Sequence, residues 1–416
     1  MHDATDSVLI LGGGFTGLFT ALHLSHQRCS LPTTLIDQEW SFIFKPLLYE
    51  FLSGEMKVDL VWPRYDELLH KSGVAFIRDT IKEIDLQNRQ VRLESGLHYT
   101  YGYLVLALGS TTGYFGIEGA KENSFAFRTG EDAIALGRHL RDRLQQATQT
   151  EDPEQRRTLL TIAVLGAGRS GVELAATLAD MLPQWYTQIG GNAQEIRVVV
   201  IQRGQEILKG DTNNLRQTAQ KGLQQRTVPV EILLEAEISA VHPQKVELKQ
   251  HDQIVPLAAA TIIWTTGTAT HPLIQALPVS EEYRDKQGRL KVTPTLQLPE
   301  FPEVFAGGDC TVDSSNPLPA TAQVAYQQAA NIAHNLKAIS EGKSPSPAQV
   351  HLRGTMMKLG LEESVAEIFD RFEVKGKPGH LIRQAVYLEM LPTPVRNFKA
   401  TTQWLTDEIF QKFVNV

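Results

Sequence analysis

The stretch Val8-Leu-Ile-Leu-Gly-Gly-Gly-Phe-Thr-Gly17 decides the fold. Its four apolar residues predict a buried strand, its glycines a tight turn, and the apolar residues at helical spacing in 18–26 a helix. A glycine turn between a strand and a helix lets a pyrophosphate reach backbone N–H groups at the positive end of the helix. A second strand ends at Asp37, 20 residues after Gly17, where a carboxylate can bind both ribose hydroxyls. Together these features predict an α/β unit that binds a dinucleotide.

The same unit recurs later in the chain, which implies a second nucleotide site. The strand Thr161–Leu165 leads into Gly166-Ala-Gly-Arg-Ser-Gly171 and a helix, and the next strand ends in Gln202 and Arg203. Because Gln202 is neutral and Arg203 offers a cationic fork, this ending favours the 2′-phosphate of NADPH. The alternative is that Arg203 is a solvated turn residue and that the site accepts NADH equally well.

Composition and charge limit the classes of function. The chain has 416 residues with 42% hydrophobic and 21% charged side chains, which is typical of a folded globular protein of two or three domains. Its 40 Lys and Arg against 47 Asp and Glu give a net charge of −7, so a nucleic-acid partner is not expected. The first residues lack the basic and apolar regions of a secretory signal, and no apolar run approaches the roughly 20 residues that span a bilayer. Membrane contact, if there is any, is therefore expected to be peripheral.

Cysteine and histidine patterns exclude two kinds of site. Cys29 and Cys310 form no C-x-x-C pair, so neither a thiol–disulfide relay nor a cysteine-rich metal site is expected. The 12 histidines show no H-x-x-x-H or H-E-x-x-H spacing, so no metal site is predicted. Cys310 follows Asp309 and could be redox-active, but without a partner a small buried apolar residue is the better interpretation.

Three further segments carry a resemblance to a known family. They are 42–49 (Phe-Ile-Phe-Lys-Pro-Leu-Leu-Tyr), the turn Gly307-Gly-Asp309, and 322–329 (Ala-Gln-Val-Ala-Tyr-Gln-Gln-Ala). With the two glycine turns they resemble the type II NAD(P)H:quinone oxidoreductases over nearly the whole chain. The Gln-Arg ending and the stretch 352–360 are most similar to the cyanobacterial and plastid branch, which includes demethylphylloquinone reductases.

The resemblance implies an α/β fold with two Rossmann-like domains and a small C-terminal element. The FAD domain would comprise 1–157 and 296–345, the NAD(P)H domain 158–295, and the C-terminal element 346–416. The polar stretch 145–157 lacks apolar periodicity, which by itself predicts a surface connection at the entry to the second domain. The implied activity moves a hydride from NADPH, or NADH, to FAD and then two electrons to a membrane quinone, such as the naphthoquinone demethylphylloquinone.

The resemblance also assigns residues to three groups. Those expected to hold FAD are Gly12, Gly14, Phe15, Thr16, Gly17, Asp37, Lys45, Pro46, Gly109, Gly308 and Asp309. Those expected to hold NAD(P)H are Gly166, Gly168, Gly171, Gln202, Arg203 and Gly267. The expected catalytic residues are Glu173, Gln323, Tyr326 and Gln327.

The helix that contains Gln323 and Gln327 is the expected quinone site. Their spacing of four places both amides on one face, next to the flavin-type Gly-Gly-Asp turn. The alternative is a polar helix face packed against water. Tyr326 stands where many family members have histidine, and a phenol with a pKa near 10 is a poorer proton source.

The sequence leaves open what the C-terminal apolar stripe contacts and whether the protein is a dimer. An apolar stripe of Phe398, Leu405, Ile409 and Phe413, with Trp404 beside it, suits either a protein interface or a membrane surface. We expect a cytoplasmic protein attached peripherally to a thylakoid or plasma membrane, and a homodimer is an open alternative.

Other classes of protein use the same pair of domains. A soluble ferredoxin- or rubredoxin-type reductase would show a basic docking patch and no amphipathic tail. A nucleotide-sensing flavoprotein resembling apoptosis-inducing factor would not turn over quinone rapidly. Sulfide:quinone oxidoreductases attack sulfur with a cysteine pair, which this chain lacks.

Overall fold

The computed structural model describes residues 6–313, 317–368 and 372–392. Its first half is built on a parallel sheet of five strands. In spatial order these strands are Val304–Ala306, Tyr103–Leu106, Val8–Leu11, Thr33–Asp37 and Ala75–Arg78. The helix Phe15–His26 packs against the long helix Ala322–Ser340, which returns to this half from the far end of the chain. Strand Val8–Leu11 is buried throughout, as expected of a central strand in a parallel sheet.

The second half repeats this plan. Its five parallel strands are, in spatial order, Glu231–Leu233, Arg197–Ile201, Thr161–Leu165, Thr261–Trp264 and Phe125–Ala126. The helix Arg169–Gln188 follows the second glycine turn and is largely buried. Strand Phe125–Ala126 joins this sheet, so the chain contributes to the second half before the predicted boundary at residue 157.

Smaller elements complete the described chain. Antiparallel sheets comprise Ile81–Asp85, Gln90–Leu93 and His98–Thr100; Glu237–His242, Lys245–Gln250 and Gln253–Ala258; and Gly354–Gly360, Glu363–Ile368 and Phe372–Lys375. Two-stranded pairs are Ser110–Thr112 with Thr268–Thr270, and Leu290–Val292 with Thr311–Asp313. The other α-helices are Leu48–Ser53, Val58–Val61, Tyr65–Leu68, Ala120–Asn123, Gly130–Gln149, Pro153–Leu159, Asn213–Gln224, Pro272–Gln275 and Gly376–Glu389. Short 3-10 helices are Lys45–Leu47, Ala193–Glu195, Glu281–Tyr283 and Gly308–Cys310.

The polar stretch 145–157 lies on the surface, as expected, but it is mostly helical. One helix continues to Gln149, because Leu144 and Ala147 bury one of its faces. A second helix begins at Pro153, where the missing N–H is not needed, and Asp152 caps it by accepting a bond from Glu154 N at 3.0 Å.

Four side-chain amides of the long helix bind the backbone of the connector, residues 346–353, which leads to the C-terminal element. These residues recur every fourth position, and we call them the amide ladder: Gln323, Gln327, Asn331 and Asn335. Three of them both accept from and donate to one connector residue, at 2.9 to 3.1 Å: Gln327 with His351, Asn331 with Gln349, and Asn335 with Ser346. Gln323 accepts from Arg353 N at 3.0 Å. The connector is therefore held along its length although it has no strand or helix of its own.

The fully buried member of the ladder should matter most for stability. Replacing Asn335 with Leu removes its bonds to Ser346 and to the carbonyl of Thr295, so we expect a loss of about 1–3 kcal/mol in the free energy of unfolding. Denaturant unfolding measures this loss, and hydrogen exchange should speed up at the Ser346 amide. His334→Leu, an exposed change on the same helix, should stay within about 0.5 kcal/mol of the parent. Equal losses in the two variants would contradict the role of the ladder.

Candidate functional site

Each glycine of the first turn is required by a different feature of the structure. Gly12 has φ +96°, and a Cβ there would lie 2.5 Å from the carbonyl oxygen of Ala107. A Cβ on Gly17 would lie 1.8 Å from the carbonyl oxygen of Gly12, so only glycine lets the helix pack this close to the turn. Gly14 instead faces open space, with nothing within 4 Å of a Cβ position. The turn thus leaves room for a ligand at the beginning of the helix.

The second turn repeats this geometry. Gly166 has φ +111° and packs against Thr266, and a Cβ on Gly171 would lie 1.9 Å from the carbonyl oxygen of Gly166. Gly168, like its counterpart in the first turn, has nothing within 4 Å of its Cβ position. Each half of the molecule therefore offers one open helix N-terminus at the carboxyl edge of a parallel sheet, which is where dinucleotides bind.

Asp37 and Gln202 occupy equivalent positions in the two halves. Gly13 N donates to Asp37 Oδ2 at 2.5 Å, and Ala167 N donates to Gln202 Oε1 at 3.4 Å. Burial raises the pKa of Asp37, and the bonds it accepts from Glu39 and Gly13 oppose that rise. The second site therefore has a neutral amide where the first has a carboxyl group.

Arg203, next to Gln202, is an exposed residue. Its guanidinium lies 3.7 Å from the carboxylate of Glu237, and 81% of the side chain is accessible. Such a long ion pair at an exposed site holds the side chain weakly. The ion pair therefore does not fix the guanidinium in one position.

The first site fits the FAD that the resemblance implies. Thr16 Oγ1 is buried without a hydrogen-bond partner in the described part of the chain, which is rare for a buried polar atom. It lies beside Gly308, where φ is +78° and a Cβ would come within 2.8 Å of the hydroxyl. The open space at Gly14, the unpartnered hydroxyl and the side-chain-free Gly308 together suit a pyrophosphate. Phe15, on the same turn, packs edge-on against Phe42 at 5.2 Å.

A polar cluster joins three segments beside this site. Asp309 Oδ2 accepts from Ser110 Oγ at 2.9 Å, and Arg128 donates to the carbonyl oxygen of Ser110 at 2.8 Å. Surrounding protein atoms and nearby Arg128 lower the pKa of Lys45 to about 8, while Asp309 opposes the change. Lys45 is nonetheless an exposed residue.

Sequence reasoning missed Arg128. Its one local signal is the capping box that follows it, in which Thr129 and Asp132 exchange bonds at the beginning of helix Gly130–Gln149. That helix start places Arg128 at the end of strand Phe125–Ala126, facing the turn that contains Asp309.

Five ionisable residues from distant segments form a buried charge cluster around Glu173. Arg383 pairs with Glu50, and Lys358 Nζ lies 2.6 Å from Glu55 and 3.4 Å from Glu50. Burial acts against ionisation, but Arg383 and Lys358 hold the pKa of Glu50 at about 2. Burial raises the pKa of Glu173, although Arg383 and a bond from Lys358 N at 2.8 Å act against the rise. Glu173 thus holds a proton more readily than Glu50 does.

The buried charge cluster connects three parts of the chain. Arg383 Nη2 donates to the carbonyl oxygen of Pro46 at 2.7 Å, in the short 3-10 helix that contains Lys45. Glu173 belongs to the second half, while Lys358 and Arg383 belong to the C-terminal element. The sequence singled out Pro46 and Glu173 but missed these C-terminal partners, since no local pattern marks an ion pair between distant segments.

The proposed quinone helix presents its polar residues unequally. Both amide atoms of Gln327 are bound to His351, whereas Gln323 accepts from Arg353 N and its Nε2 donates to no residue in the described ranges. The ring of Tyr326 packs edge-on against Phe19 at 4.7 Å, and burial raises its pKa. Within the described residues, Gln323 Nε2 is therefore unpaired, whereas Gln327 Nε2 is bound to the connector. Their role at a quinone stays a prediction.

Gly109 and Gly267 flank the paired strands that cross between the two halves. Gly109 has φ +65° and precedes Ser110–Thr112, while Gly267 has φ +73° and precedes Thr268–Thr270. The structure thus brings the end of the first sheet and the end of the second sheet together at this crossing.

Within residues 6–313, 317–368 and 372–392, no group of three or more His, Cys, Asp or Glu could hold a metal ion. No helix in those same ranges is both long and apolar enough to cross a membrane. Both cysteines are free, and burial raises the pKa of Cys310 to about 12, so its thiol stays protonated. The apolar stripe from Phe398 to Phe413, including Trp404, lies outside the described residues.

Comparison with known proteins shows to which family the chain is similar. The profile of the pyridine nucleotide-disulphide oxidoreductase family matches residues 6–329. Demethylphylloquinone reductase NdbB from Synechocystis sp. is 34% identical in sequence to this chain. The match covers 98% of this chain and 97% of that protein. The alternative NAD(P)H-ubiquinone oxidoreductase C1 of Arabidopsis thaliana is 33% identical, and the match covers 95% of this chain and 80% of that protein.

A solved structure shares the fold. NDH2 from Plasmodium falciparum in complex with NADH superimposes with a TM-score of 0.84 at 18% identity, covering 97% of this chain and 98% of that one. With a family profile over most of its length and relatives above 30% identity over nearly all of it, the chain belongs to the pyridine nucleotide-disulphide oxidoreductases and, within them, to the type II NAD(P)H:quinone oxidoreductases.

Proposed function

We propose that this chain uses NADPH in preference to NADH to reduce a membrane-dissolved naphthoquinone of the demethylphylloquinone type. Electron transfer from NAD(P)H through a flavin to a quinone is the activity of its family. The observation that carries the proposal is the pair of open glycine turns, one with Asp37 and the other with Gln202 at the ribose position. The Synechocystis relative, named a demethylphylloquinone reductase, supports the choice of quinone.

Each group of residues has a distinct part in this function. Bound FAD would accept a hydride and release two electrons, and the turn around Gly14, together with Asp37 and Asp309, would hold it. Lys45 and Arg128 would place positive charge beside it. Glu173, whose pKa is raised by burial, can hold a proton closer to neutral pH than an ordinary glutamate. Gln323 and Tyr326 would orient the quinone by donating hydrogen bonds to its carbonyl oxygens.

The cellular setting is part of the proposal. A quinone with a prenyl chain is dissolved in a membrane, so the enzyme would attach peripherally to the cytoplasmic side of a thylakoid or plasma membrane, through the stripe 398–413. A homodimer through the same stripe is the alternative use of that surface. A soluble ferredoxin-type reductase and a nucleotide sensor are not favoured, because the relatives above 30% identity are named as quinone reductases.

The open positions Gly14 and Gly168 allow the two nucleotide sites to be tested separately. Both have φ values that any residue adopts, so valine at either position should fold normally while filling the space for one pyrophosphate. We expect Gly14→Val to be purified without FAD, and Gly168→Val to keep FAD but bind NADP⁺ at least about tenfold more weakly. Flavin absorbance and calorimetric titration measure these effects. Full FAD retention in Gly14→Val would mean that the first turn is purely structural.

Cofactor preference should depend on Gln202 and Arg203. In the double variant Gln202→Glu, Arg203→Ala, the carboxylate can still accept the bond from Ala167 N, but it repels a 2′-phosphate and binds an unmodified ribose. We expect the ratio of kcat/KM for NADPH to that for NADH to fall about ten- to hundredfold. Lys209→Ala removes another exposed cation, six residues farther along the chain, and should leave the ratio unchanged. An unaltered ratio in the double variant would refute the assignment.

Gln323 should matter more for reduction of the quinone than for oxidation of NADPH. Gln323→Leu removes the Nε2 donor that is proposed to bind the quinone, so we expect kcat/KM for a prenylated naphthoquinone to fall about ten- to hundredfold. Turnover of NADPH with ferricyanide, which needs no hydrogen bond from this helix, should stay near the parent rate. A panel of prenylated benzoquinones assayed alongside tests the quinone class. Equal losses with ferricyanide and naphthoquinone would place the quinone elsewhere.

A further inference from the structure

Phe115 combines two features that oppose stability. Its side chain is 67% exposed, and its backbone has φ +53°, a left-handed conformation that is unfavourable for an aromatic residue. An exposed ring contributes little by burial. A residue of this kind calls for an explanation other than packing.

The ring of Phe115 covers one residue of the nucleotide site. A Cβ on Gly267 would lie 2.2 Å from the ring, so the ring rests directly on the Gly267 backbone. The loop that positions it is fixed, because Trp264 Nε1 donates to the carbonyl oxygen of Gly113 at 3.0 Å and Gly113 N donates to that of Gly267 at 3.4 Å. One side of the ring is therefore held against the protein and the rest is accessible.

Strand order shows which part of the nucleotide this ring would meet. Strands Arg197–Ile201 and Thr261–Trp264 flank Thr161–Leu165 on opposite sides. Gln202, the ribose-binding position, follows the first of these strands and so marks the adenosine side. Gly267 follows the second, next to Thr266, which contacts the glycine turn. The nicotinamide half of a bound dinucleotide would thus lie on the side of Gly267.

We propose that Phe115 is a contact residue for the nicotinamide riboside of NAD(P)H, with the accessible part of its ring packed against the bound nucleotide. This inference rests on the proposed function in one respect, the use of NAD(P)H at the second site. The π face of a phenyl ring suits the flat nicotinamide, and a contact of this kind changes affinity by about two- to tenfold. It also accounts for Gly267, whose missing side chain lets the ring approach the site.

The test compares two ligands on the FAD-loaded enzyme by calorimetric titration. NADP⁺ contains the nicotinamide riboside, whereas 2′-phospho-ADP-ribose lacks the nicotinamide. We expect Phe115→Leu to raise the Kd of NADP⁺ about two- to tenfold and to leave the Kd of 2′-phospho-ADP-ribose unchanged. Phe115→Tyr keeps the ring and should retain the parent affinity for both. Phe372→Leu removes another phenyl ring that is also 67% exposed, in the C-terminal element, and should change neither Kd.

Three outcomes would overturn the proposal. If Phe115→Leu binds NADP⁺ like the parent, the ring makes no contact with the nucleotide. If the variant binds NADP⁺ more tightly, the ring obstructs the site. If both ligands weaken equally and Phe115→Tyr does not restore binding, the residue acts through the fold of the loop. A parent enzyme that binds neither ligand would instead refute the proposed function, because the first three outcomes all require a parent that binds NADP⁺.

Discussion

The ion pair between Arg383 and Glu50 is the interaction on which the arrangement of the three parts of the chain depends. Both side chains are almost completely buried, and removing one partner of such a pair typically costs about 3–5 kcal/mol because the other charge is left uncompensated. Arg383 also binds the backbone at Pro46 and lies 3.8 Å from Glu173. At Arg383 the C-terminal element therefore contacts both halves of the molecule, next to the short 3-10 helix that carries Lys45.

The two nucleotide-binding units were predictable because their determinants are local. Apolar runs of fixed period, glycines at fixed offsets and a residue type at the end of the next strand all lie within about 40 residues of one another, and the structure has the predicted strands and helices there. The buried charge cluster was not predictable, since Glu50, Glu173 and Arg383 are brought together only by the complete fold. The contact of Phe115 with Gly267 was not predictable for the same reason, because the two residues are far apart in the sequence.

Prediction was partial where a sequence pattern specified one face of a helix but not the chain segment that packs against that face. The spacing of Gln323 and Gln327 correctly placed both on one side of a helix, yet the chain segment that meets them comes from 346–353 and has no recognisable motif. The stretch 145–157 shows the converse. Its polarity indicated the surface correctly, but the few apolar residues that make it helical, such as Ala147, were outweighed by their polar neighbours.

The amide ladder constrains how the connector can change in evolution. Its side chains bind backbone N–H and C=O groups, which every residue except proline can supply in full, so the identity of most connector residues is of little consequence. Length is a different matter. The helix presents one amide per turn at fixed height, so a single insertion or deletion in the connector would misalign several bonds at once. The connector should therefore vary freely in sequence among related chains while keeping a constant number of residues.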